Sequence, residues 1–169
     1  NTNASYARLE GEVRAAKTLL TLTESGKNLY SIVLADRLNI SGVFGSSIPL
    51  SVQQTTSLGS KVRGFGTFQF PTDYSVANQF DLRFNGPEPF FSGLFPRMVL
   101  FFDIGYGWGE LYNTSIPESG LIASAGVSVT FAIRSYMDIG YEMAYLLAGE
   151  NYEYPGARMV GKILARLSF

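Results

Sequence analysis

The sequence predicts an all-β fold: amphipathic antiparallel strands of a transmembrane β-barrel. Three observations carry this reading. Apolar residues recur at every second position through seven segments, with Ser, Gly, Arg, Asp and Glu between them. The connections are long on one side and mostly short on the other. Aromatic residues gather near the segment ends. Alternation over about ten residues with that loop asymmetry marks a wall whose apolar face meets lipid and whose polar face lines a wet lumen.

Composition agrees. The 169 residues are enough for one domain with a core. Hydrophobic residues make up 46% and charged residues 16%, below the usual quarter, while Gly (18), Phe (13) and Tyr (10) are abundant. Thirteen basic against fourteen acidic side chains give a net charge of −1, which offers no case for nucleic acid. No apolar run reaches the roughly 18 residues of a membrane helix. Asn1 opens a polar stretch with no signal-peptide pattern, so a mature form or a fragment is expected. Cys and His are both absent, which excludes disulfides, thiolate nucleophiles, Ser-His-Asp triads and His-ligated zinc. No enzyme activity, metal or cofactor is expected.

The elements follow in order. From Ser5 to Leu19, Ala7, Leu9, Gly11, Val13 and Ala15 alternate with Tyr6, Arg8, Glu10, Glu12 and Arg14. The Ala-, Glu- and Arg-rich composition also suits a helix, but the two-residue period fits better. Thr23–Asn28 reads as a turn. Tyr30 to Val43 alternates again, with Tyr30, Ile32, Leu34, Leu38 and Ile40 on one face; Asp36 interrupts that face. A long segment, about 43–77, follows. Segments of that length without structure of their own are uncommon and often functional.

Phe80, Leu82 and Phe84 alternate with Gln79, Asp81 and Arg83 in the next strand, which the Asn85–Pro89 turn ends. Arg97 to Trp108 places Met98, Leu100, Phe102, Ile104, Tyr106 and Trp108 opposite Val99, Phe101, Asp103, Gly105 and Gly107. Leu121–Phe131, Ser135–Tyr145 and Arg158–Phe169 repeat the pattern. Tyr106 and Trp108 read as interface anchors. Arg158, Lys162 and Arg166 read as a solvated lumen wall.

Seven strands cannot close a single-chain barrel of the usual even count, and an open edge in lipid leaves backbone groups unpaired. Upstream strands, or strands from another chain, are therefore expected.

The long segment contains Val62-Arg63-Gly64-Phe65. In that position the motif resembles the loop-six signature of the BamA/TamA superfamily of outer-membrane assembly and translocation barrels (the bacterial surface antigen superfamily). The downstream order is similar too: the Phe-x-Leu-x-Phe strand with its Pro-rich turn, Phe101-Phe102-Asp103-Ile104-Gly105, and three further strands ending in Phe169. The resemblance implies that residues 1–169 form the last seven of about sixteen strands, with upstream strands and periplasmic POTRA domains lying outside them.

It further implies a loop folded into the lumen, with Arg63 held by wall carboxylates. By parity Asp103 and Asp81 both face inward, and an arginine fork on a carboxylate is strong and directional. Arg83 stands where the family usually has a Glu, which would shift part of the clasp onto Asp81. In the last strand Lys162, Leu167 and Phe169 match the C-terminal assembly signal, while Leu164 departs from it.

The implied function is an outer-membrane insertase, non-enzymatic, with a lateral seam at the last strand. The implied location is the outer membrane of a Gram-negative-type bacterium. The implied partners are membrane lipids and lipopolysaccharide, client outer-membrane proteins and accessory assembly lipoproteins, with no nucleic acid. Three alternatives stay open: a two-partner secretion pore, the barrel of a patatin-fused protein, and a small closed barrel with a structural or adhesive role.

Overall fold

The computed structural model describes residues 5–24, 27–46, 48–87, 94–109, 120–133, 136–151 and 153–167. Seven strands form one sheet: β1 (Ser5–Glu24), β2 (Lys27–Ser46), β3 (Tyr74–Asn85), β4 (Leu94–Trp108), β5 (Leu121–Ile133), β6 (Met137–Ala148) and β7 (Met159–Leu167). Each pairs antiparallel with its sequence neighbour, in the order β1-β2-β3-β4-β5-β6-β7. The sheet is open, with β1 and β7 at its two edges.

The register explains which residues share a face. Cross-strand partners project to the same side, so Phe80, Phe102 and Ala125 share one face, while Gln79, Asp103 and Ser124 share the other. In a water-soluble sheet the apolar face is the buried one. Here it is the reverse: along β4, Phe102 is 42% exposed and Asp103 is 0% exposed. The same exposed face carries Ile104, Tyr106, Trp108, Phe131, Tyr141 and Ile163.

Aromatic side chains end that face. At the long-loop end, the Phe44 ring meets Tyr74 edge-on at 5.2 Å between centroids, and Tyr74 stacks on Trp108 at 5.8 Å. Tyr30, Phe84 and Phe131 lie toward the other end of the same face. From Tyr74 to Phe84 the strand rises about 33 Å along its own axis.

Most strand ends shift by a few residues from their expected places, and the two connections flanking β2 are shorter than expected. The β1–β2 hairpin runs to Glu24 and resumes at Lys27, so the segment expected as a Thr23–Asn28 turn is mostly strand. The long connection is also shorter than 43–77: β2 continues to Ser46 and β3 begins at Tyr74. The added residues keep the alternation, with Phe44 and Tyr74 outside and Ser75 inside, where its hydroxyl lies 2.6 Å from that of Ser41. The connection also has structure of its own, a helix α1 (Leu50–Thr55) and a 3-10 turn (Leu58–Ser60).

Asp36 sits on the exposed apolar face, in register with Phe80. Asn78, on the same face, donates a 2.8 Å hydrogen bond to its carboxylate. That bond offsets part of the cost of a charge among apolar side chains.

Candidate functional site

The connection between β2 and β3 lies on the inner face of the sheet. Its apolar residues explain why. Leu58, Val62 and Phe70 are buried in a cluster with Ala77 of β3 and Ile122 of β5, and Phe65 packs on its edge with its ring against Phe70. The wall beneath is made of glycines. A Cβ on Gly105 would stand 2.8 Å from Leu58, and one on Gly107 would stand 2.4 Å from Thr72. Two residues without side chains therefore form the groove into which the loop settles.

The turn after the 3-10 segment is fixed by a backbone hydrogen bond and by a glycine in a tight place. Val62 N–H donates to the Leu58 carbonyl at 3.1 Å. Gly64 has φ +90°, a left-handed conformation that favours glycine. A Cβ there would also stand 2.7 Å from Ala144 of β6.

Between Val62 and Gly64, Arg63 is aimed at the wall. Its backbone N–H and its Nε both donate to Asp103 Oδ2, at 2.9 and 2.8 Å, and its Nη2 donates to Asp103 Oδ1 at 2.7 Å. Nη2 also donates to Asp81 Oδ1 at 2.6 Å. The guanidinium carbon lies 3.9 Å from the centroid of the Phe101 ring, a cation–π contact. Asp103 is fully buried and Arg63 mostly so.

Burial alone would draw a proton from the guanidinium. The hydrogen bonds and charges of Asp103 and Asp81 outweigh it and hold Arg63 protonated above the ordinary arginine range.

Asp81 also accepts from Arg83, whose Nη2 lies 2.8 Å from Oδ2. The clasp is therefore a chain, Asp103–Arg63–Asp81–Arg83. It joins Val62-Arg63-Gly64-Phe65 to β3 and β4, the two strands whose parity aims Asp81 and Asp103 inward. Lys162 stands elsewhere on the same inner face, opposite Glu142 in the β6–β7 register. A cavity of about 370 Å³ lies between the loop and these strands. Leu167 ends β7, 63% exposed on the apolar face. Phe169 lies outside the described residues.

Several anchors are not evident in the sequence pattern. Lys61 Nζ donates to Ser41 Oγ at 2.5 Å and reaches Ser75 Oγ at 3.3 Å, and the Lys61 carbonyl accepts from Gln79. Burial lowers the Lys61 amine pKa below the ordinary lysine value. Asn151, 2% exposed, donates to the Gly64 carbonyl at 2.6 Å and accepts from Gln69 at 3.1 Å. It ties the connection after β6 to the one after β2. Phe101 had one available signal, its place two residues before Asp103 on the same face. Asn151 had none, because its loop follows no period.

No protein-family model, curated protein or solved structure matches this chain. The functional reading therefore rests on the motif, the inverted sheet and the clasp.

Proposed function

We propose that this chain is the C-terminal part of the wall of an outer-membrane assembly barrel, a non-enzymatic insertase. The single observation carrying the proposal is the fork of Arg63 on Asp103. It pins a loop across the polar face of a sheet whose apolar face is left bare. In water that arrangement is costly, because it exposes contiguous apolar surface. In a bilayer it is the low-energy arrangement. At the tilt of a barrel strand the aromatic rows would lie about 25 Å apart across the membrane, which suits an outer-membrane apolar band.

In this reading the loop acts as a strut. The charges it neutralises lie on the inner wall, and the loop fills lumen volume that water or a passing chain would otherwise take. The seam is assigned to β7, the shortest described strand, whose outer edge has no partner in the sheet. A free strand edge offers backbone donors and acceptors to an incoming strand. Strands upstream of β1 complete the barrel, and client outer-membrane proteins are its partners.

Residues 1–169 contain no cysteine, so the test needs only that any cysteine elsewhere in the full-length protein be replaced first. A single Ile163→Cys variant of the full-length protein is combined with a client carrying cysteines along its last strand. A register-dependent disulfide between β7 and a client stalled in mid-assembly supports the reading. Crosslinks that form only with a secreted, barrel-free substrate point instead to a secretion pore. No crosslink with either overturns the seam.

A further inference from the structure

We infer that the inner wall of β1–β3 carries a binding site for carboxylate side chains of an acidic polypeptide segment, centred on Arg37. The inference rests on the assembly reading above and names the chemistry of the chain that this wall contacts.

The wall beside the clasp is more basic than the clasp requires. A cavity of about 380 Å³ opens there, and its lining holds Arg14, Arg37, Arg63 and Arg83 against only two acids, Asp36 and Asp81. The size is at the lower end for a ligand pocket. Asp36 belongs to the opposite face, where Asn78 holds its carboxylate, and Asp81 is already shared by Arg63 and Arg83. The floor is hollow because Ala16 and Ala35 stand opposite each other in the β1–β2 register, next to the arginine pair.

Arg14 and Arg37 are directly opposite partners in the β1–β2 ladder. Like charges in that position are about 5 Å apart at Cβ and repel. Arg14 is offset by an ion pair with Glu12 on its own strand. Arg37 is half-buried, and its side chain makes no hydrogen bond or ion pair among the described residues. Glu12 reaches it only through the electrostatic field.

The same wall shows what such a pair accepts. Arg63 and Arg83 are bridged by one carboxylate, Asp81, with one oxygen toward each guanidinium. Arg14 and Arg37 are likewise neighbouring arginines on that face, but Glu12 hydrogen-bonds Arg14 alone. A carboxylate from outside would bridge the two, remove the repulsion and use the planar donor fork that arginine presents. With acids already present beside the cavity, a singly charged carboxylate suits it better than a multiply charged phosphate.

The test uses the full-length protein in detergent micelles and a short fluorescent peptide alternating Glu with Ser. Fluorescence polarisation should show binding of this peptide and at least tenfold weaker binding of its Gln counterpart. Arg37→Gln should weaken the acidic peptide by roughly tenfold. Arg37→Lys should recover part of the loss, since it keeps the charge but not the fork. Heat-modifiable migration of each variant establishes that the barrel is folded.

Equal affinity for the Glu and Gln peptides overturns the inference, and so does an Arg37→Gln variant that binds unchanged. Competition by inorganic phosphate with no peptide preference also overturns it, in favour of a free-anion site. Client insertion is measured on the same preparations. Insertion without acidic-peptide selectivity overturns this inference alone. Selectivity without insertion supports the inference and overturns the assembly reading.

Discussion

Asp103 Oδ2 accepts two hydrogen bonds from the same residue, one from the Arg63 backbone N–H and one from its Nε. A single wall oxygen therefore fixes both the loop backbone and the side chain that leaves it. The partner oxygen, Oδ1, takes Nη2. Main chain and guanidinium are locked together, and the loop cannot shift without breaking all three bonds.

Removing Arg63 leaves the Asp103 charge buried and unpaired, at a cost of about 3–5 kcal/mol, while removing Asp103 leaves Arg63 with Asp81 alone and costs less. Arg63→Ala and Asp103→Ala should both release the loop and impair client assembly in the full-length protein. Limited proteolysis near Phe68, already 67% exposed, reads the release. The double charge reversal should restore part of the activity. Arg63→Lys should restore little, because an ammonium lacks the fork. Wild-type assembly by both alanine variants would remove the strut from the mechanism.

The glycine groove makes a second prediction. Gly107→Ala puts a methyl group 2.4 Å from Thr72 and 2.8 Å from Leu58, and Gly64→Ala adds a left-handed backbone to a 2.7 Å clash. Each should destabilise the docked loop by about 1–3 kcal/mol. Gly11→Ala on β1 meets nothing within 4 Å and is the matched control. Urea titration of the liposome-folded protein should separate the first two from the third.

Asn151 is a buried amide serving two connections. Asn151→Ala leaves the Gly64 carbonyl without its 2.6 Å donor, a loss of about 1–3 kcal/mol. The expected result is faster proteolysis of the β2–β3 connection with the seven strands still folded, seen as unchanged far-ultraviolet circular dichroism.

The bare face should behave as a lipid contact. Phe102→Lys, halfway along β4, should cost about 2–4 kcal/mol in bilayer-folded protein, as a cation at the midplane does. Phe68→Lys, on the loop, should fall within about 0.5 kcal/mol of wild type. If both substitutions cost the same, the apolar face does not meet lipid.

The sequence made the strands and their faces legible because a two-residue period is a local property, and each strand here carries it with few interruptions. Asp36 is one interruption, and its partner Asn78 lies on the next strand, beyond what a period reports. The Arg63–Asp103 contact was readable from parity plus a motif. The sharing of Asp81 by two arginines was only half readable, because Arg83 signals a changed clasp without saying which oxygen it takes. The strand ends flanking the long connection were set too early at Val43 and too late after Ala77, although Phe44 and Tyr74 carry the alternation further. The anchors through Lys61 and Asn151 depend on where two loops meet in space, and neither loop has a period to read.

The loop's grip is uneven across the sheet. It bonds to β2 through Ser41, to β3 through Asp81 and to β4 through Asp103, and Gly64 rests on Ala144 of β6. On its sheet side β7 is held by its ladder to Met137–Tyr145. Mechanically, the wall is a stiff plate with a hinged margin. A pull on β4 must break a buried ion pair, whereas a pull on β7 can unzip one rung at a time and leave the plate intact.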